Sequence, residues 1–166
     1  VIATFLPAAV ADSSGRLAAV ALLGHTGAAT VSRWWAGRFG DRHGAATLLT
    51  PGVVAAAAGT LLLVMSWSPA AVLVGATLFG GGFGFAQNAS LVSMYEQVDR
   101  SGYGSVTAVW SVAYDTGLGL GAAGFGLLAS RVGYSAGFAV MAVVMVAALG
   151  AVRGRRYTGS LDRARR

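Results

Sequence analysis

Five apolar stretches follow one another within 166 residues, and each ends at a charge or a turn. They cover residues 17–32, 45–66, 70–92, 104–130 and 132–152. A helix crosses the hydrocarbon core of a bilayer with ~17–25 residues at ~1.5 Å each, so most of these stretches are long enough to span it. A water-soluble domain of this size has no interior in which to bury five such rods. The sequence therefore predicts an all-α, polytopic membrane bundle spanning residues 16–152.

Composition agrees. Mean hydropathy is +0.66 and only 11% of residues are charged, against ~25% in ordinary soluble domains. Ala and Gly dominate the apolar runs, with 25 glycines in all. Small residues let helix backbones approach closely in lipid, where packing replaces the hydrophobic drive. There is no cysteine, so disulfides, thiolate metal sites and thiol catalysis are excluded. Residues 1–11 are apolar but too short to cross, and they carry no signal-peptide pattern. They read as the end of a truncated transmembrane helix.

All twelve basic residues are arginine. With the connection 33–44 placed in the cytoplasm, alternating spans put ten arginines inside and leave Arg16 and Arg131 outside. The net charge of +6 thus marks orientation rather than nucleic acid, because the arginines cluster at helix ends and in the tail 153–166. That tail is expected to be unstructured and cytoplasmic, attracted to anionic lipid heads. Ser66-Trp67-Ser68-Pro69 and residues 130–134 form the outer turns, with Pro69 opening a helix. Stretch 17–32 is the shortest, at sixteen residues, and contains His25 and Thr26. Arg16 and Arg33 can snorkel from its ends, and Trp34-Trp35 suit a membrane interface.

The inner connection reads Trp34-Trp35-Ala36-Gly37-Arg38-Phe39-Gly40-Asp41-Arg42-His43-Gly44-Ala45-Ala46-Thr47-Leu48. It resembles the cytoplasmic loop motif of the major facilitator superfamily, Gly-x-Leu-Ala-Asp-Arg/Lys-x-Gly-Arg/Lys-Arg/Lys-x-Leu. Gly37, Asp41, Arg42, Gly44 and Leu48 fall in register, Phe39 and Gly40 replace Leu and Ala, and Ala45 and Ala46 replace the trailing basic pair. The two glycines suit a tight connection, and Asp41 could cap a helix N-terminus or pair with Arg42 or Arg38. The resemblance implies that Gly37, Asp41, Arg42 and Gly44 belong to a gating latch between two six-helix halves. It also implies a six-helix half of that family, here five full spans and a partial first helix. The missing basic pair points to the C-terminal half. So do the lack of an Arg within 70–92 and the absence of Pro from the glycine run 117–124. This places the chain from the end of helix seven through helix twelve.

Polar groups inside the spans are the candidate substrate or proton site. The run Gly80-Gly81-Gly82-Phe83-Gly84 lacks the Lys-Ser/Thr of a phosphate loop, so close helix packing is its expected role. Gln87 and Asn88 follow it and can hydrogen-bond a substrate or a neighbouring helix. Asp115 lies mid-span, where a carboxylate costs at least ~2.5–3.5 kcal/mol, so it should face the bundle interior. It is a candidate for proton coupling or for binding a cationic substrate. Tyr114 can line the same cavity. His25 titrates near neutral pH in its ordinary state and could shuttle protons or hold two helices together.

No residue set suggests a metal or cofactor, and none joins a nucleophile, a base and an orienting group, so no enzyme chemistry is expected. The resemblance implies a plasma-membrane permease that works by alternating access. Its expected partners are the bilayer, the N-terminal six-helix half, a small-molecule substrate and protons, with no nucleic acid. Proton-coupled efflux is the working expectation. Uptake of a sugar or organic acid, and a non-transporting assembly or sensor subunit, are the alternatives.

Overall fold

The computed structural model describes residues 2–10 and 15–164, with the side chains of residue 3 and of 151–164 outside the description. Among the described residues every regular element is helical: α1 (Ile2–Ala9), α2 (Gly15–His43), α3 (Leu49–Leu62), α4 (Pro69–Tyr95) and α5 (Tyr103–Ala164). Short 3₁₀ turns at Ala45–Leu48, Leu63–Met65 and Arg100–Gly102 lead into or out of them.

α5 is a hairpin. Gly133 breaks it with φ 82° and ψ 166°, a conformation open essentially only to glycine. The Phe125 and Phe138 rings lie 5.0 Å apart, whereas thirteen residues of straight helix would separate them by ~20 Å. The turn expected at 130–134 is thus present, and α5 supplies two antiparallel arms, 103–132 and 134–164. The backbone of the second arm continues as helix to Ala164, so residues 153–164 depart from the unstructured tail that their charge suggested.

Three stretches are long and apolar enough to cross a membrane: Ala45–Met65, Pro69–Tyr95 and Arg100–Gly150, the last holding both arms of α5. α2 falls outside that set because His25, Thr26 and four arginines lower its hydropathy. Its backbone is nonetheless 29 residues long and packs along α4. The two helices run parallel, Gly24 meeting Thr77, His25 meeting Gly80 and Ala29 meeting Gly84. A short, weakly apolar span is thereby shielded on one side by a strongly apolar one.

α4 is the hub, and its glycines work on two faces. Gly80 and Gly84 meet the backbone of His25 and Ala29 on α2. Gly75 and Gly82 meet Gly59 and Gly52 on α3, each pair being mutual: a Cβ on Gly75 would stand 2.8 Å from the Gly59 oxygen, and one on Gly52 would stand 2.9 Å from the Gly82 oxygen. Backbone-to-backbone approach of this kind is how helices associate in lipid.

One cluster near the 66–69 and 130–134 turns joins α1, α2, α4, α5 and the 3₁₀ turn after α3, with Leu6, Leu63, Val72, Phe125 and Phe138 almost fully buried. A smaller cluster of Ala36, Leu48 and Ala89 closes the opposite end. Ser68 caps α4, its Oγ accepting from the Ala71 amide at 3.4 Å, and Pro69 follows at the first helical position. The Ser66 and Ser135 hydroxyls lie 3.4 Å apart, which brings the two expected outer turns to one end of the bundle.

Candidate transport site

The connection expected over 33–44 is helix almost throughout. Nothing in residues 33–43 breaks the α conformation, so α2 continues to His43, and the chain turns only at Gly44, where φ is 83°. Gly37 sits in open helix, with nothing near the place of its missing Cβ; Gly40, one turn on, is the glycine that packs, a Cβ there standing 3.4 Å from the Ala45 Cα. Asp41 lies on the last turn of α2, not at a helix N-terminus, and the 3₁₀ turn after Gly44 has no side-chain cap. Asp41 makes no ion pair with Arg38 or Arg42 among the described residues. The pairing expected from sequence is therefore absent among the described residues.

Deeper in the bundle, a line of rings connects three helices. Trp110 and Tyr114 on the first arm of α5 stack at 5.0 Å and 9°. Tyr114 meets Phe83 of α4 at 6.2 Å, Phe83 meets Phe79 at 5.8 Å, and the His25 imidazole of α2 packs on Phe79 at 5.6 Å and near Phe83 at 6.5 Å. The Trp110 indole N–H donates to Ser90 Oγ at 3.1 Å, and Ser90 in turn donates to the Gln87 carbonyl at 3.0 Å. Gln87 is one helical turn beyond Phe83 and shares its side of α4.

Three buried polar atoms in this region lack a hydrogen-bond partner among the described residues: His25 Nδ1, Gln87 Oε1 and Asn88 Oδ1. Gln87 Oε1 and Asn88 Oδ1 are acceptors, and His25 Nδ1 accepts in one tautomer and donates in the other. A buried polar atom left unpaired costs ~1–3 kcal/mol, so each favours a partner from a ligand or a neighbouring chain.

Of the candidates from sequence, His25 and Tyr114 both meet Phe83, and Gln87 and Asn88 follow on the same helix. Asp115 is exposed on the first arm and makes no hydrogen bond or ion pair among the described residues. The expectation that it points into the packed interior of this bundle is not met. A carboxylate cannot face lipid cheaply, so its surface must be covered by water or by protein. Phe79 and Phe83 were not singled out from sequence. Their spacing of four places them on one helix face, the signal that was available. Among the described residues no group of His, Asp or Glu is arranged to hold a metal.

A helical bundle with several stretches long and apolar enough to cross a membrane and with backbone-packed glycines has the build of a multi-pass membrane protein. The family model of the Major Facilitator Superfamily matches residues 1–163, so the chain belongs to that superfamily. No curated protein and no solved structure gives a significant match.

Proposed function

We propose that this chain forms the C-terminal half of a plasma-membrane secondary transporter that exports a small molecule in exchange for protons. It would work by alternating access against an N-terminal six-helix half, with the substrate near the midplane. The observation that carries this reading is the set of buried polar atoms without a partner among the described residues, His25 Nδ1, Gln87 Oε1 and Asn88 Oδ1, beside a ring-lined face on three helices. Such a surface suits a solute that donates hydrogen bonds and offers an apolar or aromatic body.

Asp115 supports the same reading. An uncovered carboxylate on a membrane helix belongs next to water or a second protein half, and there it can carry a proton or face a cationic group. Asp41 would find its gating partner on that other half, since it pairs with no arginine among the described residues. The ten arginines near the 33–44, 95–103 and 153–166 segments favour a cytoplasmic position for that end.

The test uses the full-length transporter in proteoliposomes with an imposed pH gradient. Asp115→Asn is expected to abolish gradient-driven accumulation while leaving substrate exchange at equal pH. Unchanged coupling in Asp115→Asn would remove the proton role, and accumulation down the gradient in the opposite sense would make the protein an uptake permease.

A further inference from the structure

We infer that the end of α2 carrying Arg38 and Arg42 binds the phosphate headgroup of an anionic bilayer phospholipid. One side of α2 stays uncovered, with Leu23 72% exposed, Val31 65%, Trp34 62% and Trp35 45%, and with Arg38 and Arg42 exposed beyond them. Arg38 stands ~10 Å along the axis from Val31, and Arg42 ~6 Å further. The side therefore runs from aliphatic to indole to guanidinium. A phospholipid presents its acyl chain, interface and phosphate in that same order.

A cleft of 290 Å³ opens there, lined by Trp35, Arg38, Phe39, Arg42 and His43. Its apolar wall is held by stacking, Trp35 on Phe39 at 4.9 Å and Phe39 on His43 at 4.3 Å, and Trp35 is braced by Phe85 of α4 at 5.6 Å. The Arg38 guanidinium lies 3.9 Å above the centre of the Trp34 ring. The Arg38 N–H groups make no hydrogen bond among the described residues, which leaves them for phosphate oxygens. Arg42 is four residues on, so both cationic heads flank one surface. Asp41 is the carboxylate on these turns, and it pairs with neither arginine among the described residues. The apolar run leading up to the cleft is what selects a lipid over a free phosphate.

The purified full chain in uncharged detergent is titrated with dioleoyl phosphatidylglycerol, dioleoyl phosphatidylcholine and glycerol phosphate, and bound molecules are counted by native mass spectrometry. Phosphatidylglycerol is expected to bind at least tenfold more tightly than phosphatidylcholine (roughly twenty-fivefold if each arginine contributes about fivefold at a membrane surface). The double variant Arg38→Gln, Arg42→Gln should erase that preference, and Arg16→Gln at the opposite end should keep it. Equal affinity of the wild-type chain for the two lipids overturns the inference without any substitution. So does an equal loss in Arg16→Gln. Displacement of phosphatidylglycerol by glycerol phosphate at matching concentration would assign the cleft to a soluble anion instead.

Discussion

Three consecutive glycines on α4 allow a sharp test of how the bundle is held together. A Cβ on Gly80 would collide with the His25 carbonyl oxygen and stand 2.8 Å from the His25 carbonyl carbon, and one on Gly82 would collide with Ala56 N and Gly52 O and stand 3.0 Å from the Ala55 carbonyl carbon. A Cβ on Gly81 would meet nothing within 4 Å. Carbon atoms rest at ~3.5–4.0 Å, so Ala at position 80 or 82 requires two helix axes to part by roughly half to one ångström. The obstructing atoms are backbone and cannot rotate away.

Overpacking of this order costs ~1–3 kcal/mol. All three substitutions share the same gain in helix propensity, ~0.8–1.0 kcal/mol for Gly to Ala, so it cancels in the comparison. Gly80→Ala and Gly82→Ala should therefore each be less stable than Gly81→Ala by ~1–3 kcal/mol. Reversible unfolding in mixed micelles of a mild detergent and sodium dodecyl sulfate measures the difference directly. A gap below about 0.5 kcal/mol, the usual size of an uncoupled surface change, would refute backbone contact at these crossings. So would Gly81→Ala being the least stable of the three.

The chain has no cysteine, which makes introduced pairs easy to read. With hydroxyls 3.4 Å apart, Ser66→Cys with Ser135→Cys should form a disulfide on mild oxidation, seen as a shift in gel mobility that reductant reverses, and failure to crosslink would count against the α5 hairpin. Ser90→Ala leaves the Trp110 indole N–H unpaired and should cost ~1–3 kcal/mol, while adding Trp110→Phe to it should cost less than Trp110→Phe alone. Additive losses in the same unfolding assay would show that the two residues are not coupled.

Much of this arrangement was readable from local chemistry. The Ser68-Pro69 start, the break near Gly133 and the packing role of the α4 glycines follow from capping, turn and small-residue rules that need no knowledge of the neighbours. His25, Gln87 and Asn88 stood out because polar groups at membrane depth are costly. What remained hidden depends on which face meets which helix. Gly37 and Gly40 look alike in sequence, yet only Gly40 packs, because Ala45 returns against it after the turn at Gly44. Residues 33–43 looked like a loop because of their charges and glycines, but charge alone does not end a helix, and two glycines without a proline do not break it. Asp115 was expected inside the bundle. It is exposed among the described residues, and hydropathy along one chain carries no record of which face a residue takes.

The arrangement of crossings is tested most directly by labelling single cysteines in sealed membrane vesicles with an impermeant maleimide. Trp67→Cys and Ser130→Cys should react from one face, and Thr47→Cys and Ser101→Cys from the other. Labelling of Ser130→Cys and Ser101→Cys from the same face, or of Thr47→Cys and Trp67→Cys from the same face, would contradict the account.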